Sequence, residues 1–291
     1  MSTPALGVLV VYICPPGSEW LLRLHLDQIK ATTSDQDYRI FAVAPRVSDA
    51  AKAILERDQS VTLIAAPSTD HRMSREHGFY LDHLVGAALS AGVDHIATFD
   101  MDAFPVRPGW ADDLGKQLSD ERPLASVFRE ENGDTCLPHP SGMLARAGFF
   151  KDAQPSFYPE TLTEAQRAML AGRQQRIDTG IGLALALLDS GKDWVRLRRS
   201  NARNVHPVIA GVYGDVFFHL GAAGRPPVFF ADFADDPMLG ELYNNRDAPS
   251  YSERFKAVAA EIAHRNQGVV KEAVAALKAD PRAFVDFLRR D

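Results

Sequence analysis

The sequence predicts an α/β protein: a mostly parallel, doubly wound sheet flanked by helices, with a helical C-terminal extension. Two observations support this prediction. Between residues 7 and 128, short apolar runs alternate with amphipathic stretches, which is typical of buried parallel strands covered by helices. From residue 251 onward, apolar residues recur at helical spacing, which indicates helices that bury one face.

Three strand–helix units and a fourth strand follow one another in the first half. Pro15, Pro16 and Gly17 break the first strand, and Pro45 and Pro67 end the second and third, since proline has no amide hydrogen to donate. We predict strands at residues 7–13, 39–44, 61–66, 95–99 and 124–128, and helices at 20–29, 48–57, 76–91 and 110–118.

The second half is less regular. We predict a polar loop at residues 130–140, and Asp178 stands where a helix ending near Gly191 begins. Asp280-Pro281 is a start signal for the last helix. We predict a helix near 162–170, strands at 194–197 and 216–220, an apolar run at 228–233 and a helical tail to residue 290. The domain limits are then 1–240, with an extension over 241–291 that packs on the domain or forms a homodimer interface; packing is favoured.

Composition limits the classes of partner. The chain has 291 residues, a net charge of −6 and 46% hydrophobic residues, as in ordinary globular proteins. No basic run builds a phosphate-binding face, so we expect no nucleic-acid partner. The apolar N-terminal run is too short to span a membrane and lacks a basic region before it, so we predict no transmembrane segment and a cytoplasmic protein. Two cysteines, Cys14 and Cys136, form no metal-ligand motif.

Two carboxylates follow the fourth strand directly. Asp100 and Asp102 lie on either side of Met101, so alternation along an extended segment directs both to the same side. In open α/β sheets, ligands bind outside the carboxyl ends of the strands. Converging carboxylates repel each other unless a cation lies between them, and Mg²⁺ or Mn²⁺ prefers such oxygen ligands. The alternative is a simple turn before Pro105.

The segment around this pair resembles a known family. HGFYLDHLVGAALSAGVDHIATFDMDAFPVRPGWADDL is similar to the nucleotide-binding half of GT-A glycosyltransferases, especially family-2-like members with an Asp-x-Asp motif. The resemblance covers roughly residues 5–225 and implies a GT-A (Rossmann-like) fold, with residues 1–115 binding the sugar nucleotide and 116–240 the acceptor. It implies that Asp102 ligates the metal and that Asp100 contacts the metal or the ribose.

The resemblance extends to later positions. It implies that His219, which precedes a glycine-containing turn, is a further metal ligand that favours Mn²⁺ over Mg²⁺; a buried structural histidine is the alternative. It implies that Asp178 is the general base of an inverting transfer. Asp178 is equally consistent with a helix N-cap, and Ile177 stands where the family usually has Glu.

Weaker candidates surround the donor and acceptor sides. Arg75 and His77, in the first turn of the third helix, are within reach of a nucleotide, although a solvated turn is favoured. By resemblance, Pro15 and Pro45 mark strand ends whose backbone cradles the nucleotide. Residues 140–143 resemble the glycine-containing acceptor loop, and His139 beside them is an acceptor contact or an ordinary loop residue.

We therefore expect a hexosyltransferase that uses a nucleotide diphosphate sugar, a carbohydrate or small-molecule hydroxyl acceptor, and Mn²⁺ or Mg²⁺. Two alternatives remain. A haloacid-dehalogenase-like phosphatase would use Asp100 as nucleophile, although the residues after Asp102 do not fit its motif. A non-catalytic sugar-nucleotide-binding domain would keep the fold without the reaction. A nucleotidyltransferase is disfavoured because residues 14–18 contain one glycine and no basic residue.

Overall fold

A computed structural model describes residues 5–221, 227–233, 238, 240, 243 and 253–290. It confirms the α/β prediction. Seven strands form one sheet in the order β3-β2-β1-β4-β7-β6-β8. All neighbouring pairs are parallel except those that involve β7. The strands are β1 (Leu6–Cys14), β2 (Tyr38–Val47), β3 (Val61–Leu63), β4 (His95–Phe99), β6 (Leu124–Val127), β7 (His139–Arg146) and β8 (Val195–Leu197).

Helices cover both faces of this sheet because β1 is apolar on both sides. Val8 and Val10 belong to one buried cluster with residues of α1, α2 and α4, whereas Leu9 and Val11 belong to a second with residues of α3, α5 and α7. Trp110 lies in the first cluster and is fully buried. The helices are α1 (Glu19–Thr33), α2 (Asp49–Arg57), α3 (Ser74–Ser90), α4 (Trp110–Gly115), α5 (Ala147–Ala153), α6 (Glu164–Gly172) and α7 (Ile181–Asp189).

The antiparallel strand β7 corrects the sequence prediction. Residues 139–143 were expected in loops, yet they lie in the middle of the sheet between β4 and β6. Their polar groups are satisfied there: the Thr98 hydroxyl donates to the Pro140 carbonyl at 2.7 Å and the Ser126 hydroxyl to the His139 carbonyl at 2.8 Å. Gly142 is required, because an added Cβ would lie 2.8 Å from the Phe217 ring. Residues 139–142 are polar, proline or glycine, so this half of the strand lacks the apolar periodicity by which strands are recognised in a sequence.

Pro45 does not end β2. The strand continues to Val47, and its pairing with β1 jumps from Val43 opposite Val11 to Arg46 opposite Ile13. This bulge leaves Pro45 outside the regular ladder, so its missing amide hydrogen costs no hydrogen bond. The third strand, in contrast, is shorter than predicted and ends at Leu63 instead of Ala66.

A second, antiparallel sheet lies between the turn that carries Asp100 and Asp102 and the C-terminal helices. It contains β5 (Ala103–Pro105), β10 (Phe217–His219) and β9 (Gly211–Tyr213), in that order. Helices α8 (Glu253–Ala279) and α9 (Pro281–Arg289) bury Leu277, Phe284 and Leu288 in the same cluster as Phe104 and Phe218. This contact supports the packing interpretation of the extension. The domain limits themselves stay a prediction.

Local signals near the C-terminus are partly confirmed. The Asp280 carboxylate accepts a hydrogen bond from the Ala283 amide at 2.9 Å, so this residue caps α9 as predicted. The apolar run at 228–233 is not a strand, since Phe230–Phe233 forms a 3₁₀ helix. Residues 251 and 252 of the predicted tail lie outside the described part of the chain. Among the helices that the structure describes, none is long and apolar enough to cross a bilayer.

Candidate metal and substrate site

The acidic pair lies in a tight turn between two strands. Strand β4 ends at Phe99 and β5 begins at Ala103, and the Ala103 amide donates to the Asp100 carbonyl at 2.9 Å. The pair therefore stands at the carboxyl end of a central strand, where ligands bind in such sheets. Asp102 is buried and the Asp100 side chain is 24% exposed, so only the latter borders solvent to a substantial degree.

Strand pairing brings His219 to this turn. Because β10 runs antiparallel to β5, His219 lies opposite Ala103. Its Nε2 atom is 3.6 Å from Asp100 Oδ2 and 3.5 Å from Asp102 Oδ1. The backbone reinforces the approach, since the Leu220 amide donates to the Asp102 carbonyl at 2.9 Å and the Gly221 amide to Asp102 Oδ2 at 3.1 Å. The three residues predicted as metal ligands thus form one cluster.

The cluster fits a divalent cation. One ligand atom from each of Asp100, Asp102 and His219 lies within 4.8 Å of the other two. Adjacent ligands on one octahedral ion with bonds of about 2.1 Å are separated by roughly 3 Å, so small side-chain rotations suffice. Two carboxylates with one imidazole suit Mn²⁺ and, less well, Mg²⁺. Without a cation the two negative charges at this turn repel each other.

The two candidates in α3 have different environments. His77 Nε2 lies 3.5 Å from Asp100 Oδ1, so His77 borders the cluster. Arg75 is paired with Glu160 at 2.6 Å, and 60% of its side chain is exposed. The buried carboxylate of Glu76 is paired with Arg46, which follows Pro45 in β2. This pair, which the sequence did not suggest, fixes the start of α3 against the end of β2.

Pro15 follows the end of β1 as expected, whereas Pro45 lies at the bulge of β2, two residues before that strand ends. Pro15 follows the last residue of β1 and is exposed, and Pro45 is partly buried within β2. Pro15 is thus at the carboxyl end of β1, the neighbour of β4, and Pro45 is close to the carboxyl end of β2, one strand further. Their location is compatible with a backbone contact to a nucleotide, and their role stays a prediction.

Asp178 is not a helix cap. Helix α7 begins three residues later, at Ile181, and its N-cap is Gly180 with a φ of 89°. The carboxylate instead accepts hydrogen bonds at Oδ1 from the Ser74 hydroxyl and the Thr179 amide. Its Oδ2 atom lies 3.5 Å from Arg129 Nη2 and 3.9 Å from Arg176 Nη2. The capping alternative is therefore wrong, and Asp178 belongs to a network of charged side chains.

This network keeps Asp178 ionised. Burial alone would raise the pKa of the carboxyl, but Arg129, Arg176 and the Ser74 hydrogen bond together hold that pKa far below its usual range. Arg129 is itself buried, with Nε donating to Asp134 Oδ2 at 2.9 Å. Such a carboxylate binds hydrogen-bond donors readily but has a low affinity for a proton.

His139, predicted to be an acceptor contact or an ordinary loop residue, lies in strand β7 beside the Asp100, Asp102 and His219 cluster. Its ring stacks on the His219 ring, with centroids 5.9 Å apart and planes inclined by 26°. Burial, followed by the nearby Arg129 charge, lowers the pKa of His139 well below its usual value. Its place in a strand has no strong signal in the sequence, because the surrounding stretch resembles a polar loop.

A second buried histidine, His25, contacts the turn that carries Asp100 and Asp102. His25, in α1, is fully buried, and its Nδ1 atom is 2.8 Å from the Ala103 carbonyl. Its ring makes edge contacts with Tyr12 and Phe99. Desolvation in this apolar environment lowers the pKa of His25 to about 4. The neutral ring thus donates from Nδ1 and holds the backbone directly after Asp102.

Comparisons with known proteins give distant structural similarities. No family model and no curated protein matches the chain. A mannosyltransferase from Pyrobaculum calidifontis, solved with GDP-Man and Mn²⁺, is 12% identical over 97% of this chain and 78% of its own, with a TM-score of 0.48. A cytidylyltransferase from Leptospira borgpetersenii is 9% identical over 72% of this chain and 81% of its own, with a TM-score of 0.44. The galactosyltransferase LgtC, solved with donor and acceptor sugar analogues, is 13% identical over 48% of this chain and 58% of its own, with a TM-score of 0.35. Similarities of this size concern the path of the chain, so the function is inferred from the side chains.

Proposed function

We propose that this protein is a metal-dependent glycosyltransferase that moves a hexose from a UDP- or GDP-linked donor to a hydroxyl acceptor. The observation that carries the proposal is the cluster of Asp100, Asp102 and His219 at the carboxyl end of β4. A site for one hard cation, open on the side of Asp100, suits a diphosphate whose oxygens complete the coordination.

Asp100, Asp102 and His219 would hold Mn²⁺ or Mg²⁺. When bound, the ion neutralises charge on the departing nucleotide diphosphate. Two hydrogen bonds hold the turn that carries both carboxylates. The Gly221 amide donates to Asp102, and His25 donates to the Ala103 carbonyl. His77 borders Asp100 at 3.5 Å and limits its rotation. Ligand side chains held in this way pay less entropy when the ion binds.

The donor nucleotide would lie between the carboxyl ends of β1 and β2 and the start of α3. Pro15 and Pro45 offer backbone there, and His77 reaches the same region. Arg75 would contact the nucleotide only after leaving Glu160, its present partner at 2.6 Å. We therefore expect His77 to matter more than Arg75 for donor affinity.

Asp178 is the proposed acceptor-side carboxylate. It is ionised, as a base must be, and Arg129 and Arg176 reduce its proton affinity. A weak base of this kind takes the proton from an acceptor hydroxyl only after the new C–O bond has made that proton acidic. Inversion is the preferred outcome because Asp178, with Arg129 and His139 nearby, is a candidate base for the acceptor hydroxyl.

Nothing in the described residues favours the phosphatase alternative. Within the described residues Asp100 is paired with His77 and His219, and with no lysine or arginine. A phosphatase that forms an aspartyl phosphate needs such a cation beside its nucleophile. Only a test for turnover distinguishes an enzyme from a non-catalytic sugar-nucleotide-binding domain.

The test measures release of nucleoside diphosphate from UDP-glucose, UDP-galactose and GDP-mannose in the presence of MnCl₂, with methyl hexosides as acceptors. We expect turnover with one donor, loss of turnover in Asp102→Asn, and no loss in Asp120→Asn, which alters an exposed carboxylate. Donor binding without turnover would support the non-catalytic alternative. Hydrolysis of p-nitrophenyl phosphate that depends on Asp100 would instead support the phosphatase.

A further inference from the structure

The ring nitrogens of His139 have different partners. Nδ1 is 2.8 Å from the Ser141 hydroxyl oxygen and accepts a hydrogen bond from the Ser141 amide at 3.2 Å. A backbone N–H can only donate, so Nδ1 keeps its lone pair and the proton of the neutral ring is on Nε2. Ser141 therefore fixes the tautomer in which Nε2 is a donor.

The Nε2 donor has no partner within the part of the chain that the structure describes. His139 as a whole is 7% exposed, and Nε2 is not one of the buried polar atoms that lack a hydrogen bond. The small exposed fraction of the ring thus includes Nε2. A donor that reaches solvent from an otherwise buried ring is available to a ligand.

The position of the ring identifies the ligand. His139 stacks on His219, which belongs to the proposed metal cluster, so its free donor lies next to the expected diphosphate. The part of the donor attached directly to that diphosphate is the hexose. The Arg129 and Asp178 charges act on His139 in opposite directions, Arg129 the more strongly, so neither an anion nor a cation is selected by a single nearby charge. A hydroxyl oxygen, which is uncharged and accepts a hydrogen bond, suits this position.

We propose that His139 Nε2–H donates a hydrogen bond to a hydroxyl group of the transferred hexose. The inference rests on the proposed function, since it needs a sugar nucleotide at the Asp100, Asp102 and His219 cluster. It makes His139 a residue that recognises the sugar, and it gives Ser141 the role of holding the tautomer.

The experiment compares binding of a nucleotide sugar with binding of the nucleotide alone. Calorimetry with MnCl₂ measures the affinity of UDP-glucose, UDP-galactose and GDP-mannose, and of UDP and GDP. His139→Phe keeps an aromatic ring against His219 but removes the donor, and His139→Gln keeps a donor near Nε2. His264→Phe, on an exposed face of α8, is the matched control.

We expect His139→Phe to lower the affinity for the nucleotide sugar about tenfold or more, because one polar group in the site is left without a partner. Affinity for the sugar-free nucleotide should be unchanged, and His139→Gln should lose less. Among deoxy analogues of the sugar nucleotide, the one that lacks the contacted hydroxyl should bind wild type more weakly than the parent compound does. His139→Phe should bind this analogue and the parent compound equally well.

Two results would overturn the proposal: unchanged nucleotide-sugar affinity in His139→Phe, or an equal loss for nucleotide and nucleotide sugar. The second result would indicate a contact to the diphosphate or a disturbed cluster. Failure of the wild-type protein to bind any of these nucleotide sugars would count against the proposed function itself, before any variant is considered.

Discussion

His219 Nε2 lies 3.5 Å from Asp102 Oδ1, although the two residues are in different halves of the chain. The contact follows from antiparallel pairing of β10 with β5, which places His219 opposite Ala103. The small second sheet therefore has a chemical consequence: it delivers an imidazole to a turn that already carries two carboxylates. Mixed ligands of this kind distinguish the site from an all-carboxylate one.

The imidazole should set the metal preference. In His219→Ala, we expect Mn²⁺ affinity to fall at least about tenfold, because one of three protein ligands is lost. In His219→Asp, an all-oxygen set should shift preference toward Mg²⁺. Electron paramagnetic resonance titration of free Mn²⁺, with Mg²⁺ as competitor, measures both effects. Equal Mn²⁺ affinity in wild type and His219→Ala would remove His219 from the ligand set.

Removing one partner of the buried pair between Arg129 and Asp134 should cost far more stability than removing one partner of the exposed pair between Arg75 and Glu160. Arg129→Met leaves a buried carboxylate without its cation and should cost about 3–5 kcal/mol of unfolding free energy. Arg75→Met, at a side chain that is 60% exposed, should change stability by less than about 1 kcal/mol. Urea unfolding at pH 7 measures both. Similar losses in the two variants would mean that the Arg129 network is solvated.

His25 should make the fold sensitive to acid. Its folded pKa is about 4 because of burial, below the unfolded value of about 6.5, so between these pH values only the unfolded chain binds the proton. Stability contributed by the neutral ring is present above pH 6.5 and is lost as the pH falls toward 4. Between pH 7 and pH 5 the loss should be about 2 kcal/mol.

His25→Asn isolates this contribution, since asparagine can still donate to the Ala103 carbonyl but does not titrate. We expect the free energy of unfolding, measured in urea at pH 7 and pH 5, to fall less in the variant than in wild type. The difference between the two falls should be about 2 kcal/mol. An identical pH dependence in the two proteins would show that His25 is solvated in the folded state.

The C-terminal helices should be part of the domain's stability. Leu288 is fully buried against the second sheet, whereas its neighbour Phe287 is 45% exposed. Leu288→Ala should cost about 2–5 kcal/mol and Phe287→Ala much less, because only the first leaves a cavity. Thermal and urea unfolding compare them. A small effect of Leu288→Ala would mean that α9 is bound loosely.

Sequence patterns predicted the elements whose apolar residues are periodic. The strands of the parallel part and the helix α3 are recognisable because buried residues recur at a fixed interval, and Asp280-Pro281 marks the start of α9 correctly. The acidic pair was predicted from its place after β4. His219 was suggested only by family resemblance, since the pairing that brings it to Asp102 is not local.

The remaining features depend on contacts that no local pattern reports. Strand β7 contains His139, Pro140 and Ser141, whose polarity suggests a loop, and their hydrogen bonds come from Thr98 and Ser126 on neighbouring strands. Asp178 is of the residue type, and stands at the position, expected of a helix cap. Its actual partners, Ser74 and Arg129, come from separate parts of the chain. Tertiary contacts therefore decided the chemistry on the Asp178 side of the site.

Asp100, Asp102 and His219 are proposed to hold a cation to which a sugar nucleotide binds. Calorimetric titration of UDP-glucose, UDP-galactose and GDP-mannose, with MnCl₂ and then with EDTA, tests this claim most directly. We predict that at least one of them binds wild type only when Mn²⁺ is present, and that Asp102→Asn abolishes this binding while Asp120→Asn does not. Binding that is equally strong in EDTA, or that survives Asp102→Asn unchanged, would contradict the claim.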